Sequence, residues 1–159
     1  MKRLLRVSDV LGGVFLRMAD VLAALPPEVH ELRWSILDLG DVVADESTQL
    51  DVGELERKVF GSPTGLELSF AELSRFAAET IQVIDGRFLG RSRAAASPQR
   101  SDADVAILDE SDVVVAPFDS TFWLISANDA ALDHIARRFD AVSEEDPAST
   151  PLRAWGPTP

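Results

Sequence analysis

Apolar residues at Val10, Val14, Met18, Val21, Leu22 and Leu25 recur at helical spacing, which predicts a helix from a Ser8 cap to about Leu25. Gly12 and Gly13 lie inside it and cost roughly 1 kcal/mol each against alanine, so its first turn is expected to fray or start late. Pro26-Pro27 stops it. From His30 to Leu39 the pattern alternates, with Leu32, Trp34 and Ile36 set against Arg33 and Ser35, and predicts a strand that Leu37 interrupts near its end. Gly40 to Thr48 reads as an acidic loop. Asp51 caps a short helix through about Phe60, which Gly61-Ser62-Pro63 ends.

Ser69-Phe70-Ala71-Glu72 has the spacing of a capping box, and Phe70, Leu73, Phe76, Ala77, Thr80 and Ile81 follow it at helical spacing. Asp85-Gly86 punctuates the chain and Arg87-Phe88-Leu89 predicts a short strand. Residues 91–103 are of low complexity and are expected to form a mobile loop. Three strands follow, Asp104 to Leu108, Val113 to Phe118 and Phe122 to Ile125, separated by the turn residues Asp109-Glu110-Ser111-Asp112 and Asp119-Ser120-Thr121. They predict an antiparallel meander. Their apolar residues are consecutive, as in strands buried on both faces or with one face in a partner interface. Asn128 or Asp129 caps a last helix bearing Leu132, Ile135, Ala136 and Phe139. The expected architecture is α+β, a four- or five-stranded, mostly antiparallel sheet packed with helices. Residues 1–146 are read as one domain and 147–159 as a tail. Trp34 and Trp123 are expected in the core, and Trp155 either docks back onto the fold or serves a partner.

Composition narrows the chemistry. The 159 residues contain no cysteine and only two histidines, His30 and His134, so thiolate chemistry is excluded and no metal centre is expected. The apolar runs are far short of the roughly 20 residues of a membrane span. No small-residue cleavage site follows the N-terminal bases, so a cytoplasmic location is expected. The net charge of −12 is unevenly spread. Seven acids against two bases lie in residues 35–60, and twelve against two in residues 101–148. Such a field repels nucleic acid and anionic membrane and steers basic partners inward.

Catalytic motifs are missing. Gly12-Gly13 is too short for a phosphate cradle, and no G-x-S-x-G elbow occurs. Asp38/Asp41 and Asp109/Asp112 have the residue types of an acid–base pair, but acids in turns usually serve as solvated caps. The run from Asp41 to Glu46 lacks the spacing of a calcium loop. Arg87, Arg91, Arg93 and Arg100 read as a counterweight to the acids. No enzymatic activity, cofactor or metal is expected.

Two stretches carry a resemblance. One is Gly65-Leu66-Glu67-Leu68-Ser69 through Glu72-Leu73 to Gln82-Val83-Ile84-Asp85-Gly86-Arg87-Phe88. The other is Phe118-Asp119-Ser120-Thr121-Phe122-Trp123 with Asp129, Ile135 and Phe139 to Val142. Over about half the chain they resemble immunity proteins encoded beside bacterial polymorphic or contact-dependent toxins, whose "D-S-[ST]-[FY]-W" strand runs into a terminal helix. The resemblance implies a cognate toxin as partner and carries over no site residue. Independently, the acidic blocks suit occlusion of a basic toxin such as a nuclease, with carboxylates standing in for substrate phosphates. The candidate partner-binding residues are Asp38, Asp41, Asp45, Glu46, Asp109, Glu110, Asp112, Asp119 and Trp155. The alternative is an adaptor that forms a homodimer through its sheet.

Overall fold

In the strand Leu4–Ser8 (β1), Leu4 turns into one apolar core while Leu5 and Val7 turn into another. This division of side chains between two faces recurs in the inner strands of the sheet. A computed structural model describes residues 2–154, and for Leu11 the backbone alone. After β1 come a hairpin arm of Val10–Leu11 (β2) and Val14–Phe15 (β3), the helix Met18–Ala23 (α1), and a 3-10 turn at Pro27–Glu31. The long strand Arg33–Ala44 (β4) leads to the helix Val52–Phe60 (α2), the strand Leu66–Leu68 (β5) and the helix Phe70–Glu79 (α3). Then follow Thr80–Arg91 (β6), the helix Asp104–Glu110 (α4), Val113–Phe118 (β7), Phe122–Ser126 (β8), the helix Asp129–Arg138 (α5) and Val142–Glu145 (β9). The class is α+β as expected, but the sheet has seven strands, in the order β5-β4-β6-β7-β8-β1-β9. Every neighbouring pair is antiparallel.

One face carries the larger core. Trp34, Phe88, Val115 and Trp123 pack there against Val21 and Leu22 of α1, Leu73 and Phe76 of α3, and Leu132 and Ile135 of α5. On the other face, Leu4, Leu37, Leu89, Val114 and Leu124 are sealed by Ile107 and Leu108 of α4 and by Leu152. Strands β7 and β8 are therefore buried on both faces by their own chain.

The caps are as expected. Asp51 accepts from the Glu54 amide, Asn128 from the Ala131 amide, and Ser69 and Glu72 form the reciprocal box. The helix expected over residues 8–25 is instead β1, the arm and the short α1. Gly12 and Gly13 have φ of 59° and 82°, the two left-handed residues of a type I′ hairpin turn, which a helix cannot contain.

The strand expected to end at Leu39 runs on to Ala44, so only residues 45–48 of the expected acidic loop lie outside it. Ile36 faces the larger core and Leu37 the smaller by ordinary alternation, and a bulge between Ile36 and Asp38 returns Leu39, three positions after Ile36, to the larger core. Likewise β6 passes straight through Asp85-Gly86. A Cβ on Gly86 would stand 2.8 Å from the Phe88 ring, so the glycine makes room for a neighbour and does not break the strand. The strand expected at Asp104 to Leu108 is α4, because a short apolar run fits a helix face as well as a buried strand. The expected three-stranded meander thus reduces to the β7–β8 hairpin, flanked by β6 and β1.

Of the stretch expected as a tail, the described part returns to the fold, and Leu152 is fully buried. Ala136 is exposed on α5. No helix among the described residues is long and apolar enough to cross a membrane.

Candidate functional site

Asp38, first among the candidate acids, lies in an ion cluster beneath the smaller core. Arg87, fully buried, donates through Nε to its carboxylate and through Nη1 to Asp104 at 3.1 Å. Arg100 Nε lies 3.4 Å from Asp38 and donates to the Leu37 carbonyl at 3.1 Å, while its Nη2 donates to the carbonyls of Val59 and Ser62. Asp104 also accepts from the Leu152 amide at 3.0 Å, and Arg153 stands 3.9 Å from Asp38. The cluster ties residues 92–103, α4 and the C-terminal segment onto the sheet. Its carboxylates and guanidiniums satisfy one another, so Asp38 has a structural role.

Asp109, Glu110 and Asp112 do not share a turn between two strands. The first two are exposed at the end of α4, and Glu110 faces Arg91 at 3.4 Å. Asp112 accepts from the Ser92 amide at 2.8 Å, and Lys2 donates to the Ser111 carbonyl. Bases therefore stand among these acids and weaken their field.

Asp41, Asp45, Glu46 and Asp119 gather at the other end of the sheet. The β4–β6 register sets Gly40 opposite Asp85 and Val43 opposite Gln82. The Asp119 amide donates to Asp85 at 3.1 Å, and the Asp45 amide to the Glu79 carbonyl at 2.9 Å. From Asp85, level with Asp41 and Asp119, to Arg91 along β6 is about 20 Å at roughly 3.3 Å per residue, so the two acid sets sit towards opposite ends. Asp41, Glu46 and Asp119 are exposed. Asp45 is half-buried, and bonds from the Ser47 amide and hydroxyl, at 2.9 and 2.8 Å, hold its carboxyl below the usual aspartate range. Asp41 and Asp119 have φ of 48° and 50°, a conformation that aspartate tolerates better than most residues.

This end also bears the exposed apolar side chains that the sequence pattern missed. Val10, Val14 and Phe15 of the arm are exposed, as are Val43 of β4 and Ile81 of β6. The base of the arm is fixed by Asp9, which is itself buried. The Asp9 amide donates to the Thr121 carbonyl at 3.1 Å, and its carbonyl accepts from the Leu16 amide at 2.8 Å. Its carboxylate accepts from Trp123 Nε1 at 2.5 Å. Burial pushes the Asp9 carboxyl up from its usual range, against the pull of donors on Trp123 and Gln82. Arg17, just past the arm, donates to the Thr80 carbonyl at 2.6 Å. These bonds anchor the base of the arm beside the end of the β4–β6 pair and the 119–121 turn, the same end of the sheet that carries the four acids, with Arg17 acting on Asp45. The signal was present in the sequence as paired glycines between apolar dipeptides, which is a hairpin signature.

No group of three or more potential metal ligands comes together among the described residues. His30 stacks on Phe70 with ring centroids 4.2 Å apart, and His134 is exposed on α5. A groove of about 400 Å³ between α2 and α3 is lined by four acids. Asp51 and Glu72 there act as helix caps, and Glu54 pairs with Lys58 at 3.4 Å. Trp155 lies outside the described residues. Comparison with family models, curated proteins and solved structures finds no match to this chain.

Proposed function

We propose that this chain is an immunity protein that binds a cognate basic toxin and occludes it. One observation carries the reading: exposed Val10, Val14, Phe15, Val43 and Ile81 lie at the same end of the sheet as Asp41, Asp45, Glu46 and Asp119. An apolar patch with a charged rim has the anatomy of a protein-binding surface. The rim speeds encounter with a basic protein, and the buried apolar contacts lengthen the life of the complex. The carboxylates occupy the places that anionic substrate groups take on such a toxin. The resemblance carried by residues 65–88 and 118–142 points the same way.

The rival, an adaptor dimerising through its sheet, loses its main support because both faces of β7 and β8 are covered within the chain. A net charge of −12 also opposes self-association. The test is to mix the purified chain with the protein encoded by the adjacent gene. The reading requires a 1:1 complex and loss of that protein's activity on titration to equivalence. A chain that leaves the activity untouched overturns it.

A further inference from the structure

The arm is apolar on two faces and covered on neither. Register pairs Val10 with Phe15 and Leu11 with Val14, and successive pairs of a hairpin point to opposite faces. Val10 and Phe15 therefore occupy one face, at 45% and 52% exposure, and Val14 the other, at 68%. At the tip, a Cβ on Gly12 or Gly13 meets nothing within 4 Å, so the turn stands clear of the rest of the chain. From Val10 to Phe15 no residue is charged. The base, by contrast, is held by the backbone bonds of Asp9 and by Leu16, which is buried. The result is an uncharged, projecting arm, hydrogen-bonded at its base, at the end of the sheet that carries Asp41, Asp45, Glu46 and Asp119.

A flat partner surface would cover only one of those faces. The complement of a two-faced arm is a slot with two apolar walls, and the acids at the arm's base require a basic lip around it. We infer that the arm inserts into a cleft of the basic partner, with Asp41, Glu46 and Asp119 closing on the cleft's rim. This deepens the immunity reading and rests on it. A toxin that acts on a polyanion must line its substrate cleft with positive charge, so the slot that fits this arm is that cleft, and the arm excludes substrate by filling it. A second copy of this chain is a poor occupant, because the acids surrounding one arm would meet the acids surrounding the other.

Two variants test the two faces separately: V10T/F15T removes apolar surface from one and V14T from the other. Threonine keeps the strand preference of the arm, and the replaced side chains are exposed, so the fold is expected to keep its denaturation midpoint. The probe is the protein encoded by the adjacent gene, with dissociation and association rates measured for the full chain and both variants. A slot predicts that each variant dissociates at least roughly tenfold faster while associating at the parent rate, since the acids that steer encounter are intact. It also predicts that the parent inhibits competitively with the partner's substrate. An effect confined to one variant identifies a flat interface and overturns the slot. Parent-like behaviour of both variants removes the arm from the interface and leaves the immunity reading standing. Non-competitive inhibition by the parent shows that the arm does not fill the substrate cleft, which overturns the proposal and leaves the immunity reading standing. Absence of any complex with the parent chain overturns the immunity reading itself. A dimer of the chain alone that V10T/F15T abolishes assigns the arm to a second copy and overturns the proposal.

Discussion

Asp9 shows how one residue serves the arm at a cost. Desolvation beside Trp123 holds its carboxyl above the ordinary range, so folding favours the protonated form. Below the unfolded value of about 3.9 the residue is neutral in both states. As pH rises through the raised folded value, the native state loses a proton it held preferentially, and at neutral pH the buried carboxylate is a standing penalty. Asparagine keeps an oxygen to accept from Trp123 Nε1 and does not ionise. D9N is therefore expected to be more stable than the parent at pH 7 and equal to it at about pH 3 and below. Paired urea titrations at the two values check this, and a parent that is the more stable at pH 7 contradicts it. At this scale the sequence was legible wherever the cause was local. The Asp51, Ser69 and Asn128 caps depend on partners three residues away. The fate of Asp38 depends on Arg87, 49 positions on, and no local pattern reveals that pairing.

Among elements, the boundaries that the sequence pattern misplaced are those where tertiary contacts decide. Gly12-Gly13 is poor in a helix and good in a type I′ turn, and the choice between them is settled by β1 pairing with β8 and β9 on either side. Gly86 is a breaker by composition, yet it lies within β6 because Phe88 fills the space its side chain would take. The C-terminal segment reads as a polar tail, and its single anchor, Leu152, is invisible without α4 and the smaller core. That anchor can be tested. Leu152 is fully buried against a core formed chiefly by Leu4, Leu37, Leu89, Leu124 and α4. Leu152→Ala is expected to cost about 2–5 kcal/mol through lost transfer energy and the cavity left behind. The denaturation midpoint measures it, and a change below about 0.5 kcal/mol would mean that the segment does not close the core.

For the molecule as a whole, the α+β class and the acidic field were legible, because helical and alternating patterns and a net charge of −12 are properties of the chain itself. Which acids act together was not. Of the nine candidate binding residues, the fold gathers Asp41, Asp45, Glu46 and Asp119, commits Asp38 to an ion cluster, and sends Asp109, Glu110 and Asp112 to the far end of β6 among bases. The central claim is that the first set meets a basic partner. Two variants change the charge equally, by four: D41N/E46K/D119N at the arm end and D109N/E110K/D112N at the other. Asparagine is used at Asp41 and Asp119 because it tolerates their left-handed backbone. The decisive measurement is the association rate with the protein encoded by the adjacent gene, across ionic strengths from about 10 mM to 1 M, over which the screening length falls from about 30 to 3 Å. The arm-end variant is expected to associate about tenfold more slowly than the parent at low salt, with the difference closing as salt rises, while the other variant stays near the parent rate. Equal slowing by both variants, or a parent rate independent of salt, would contradict the account.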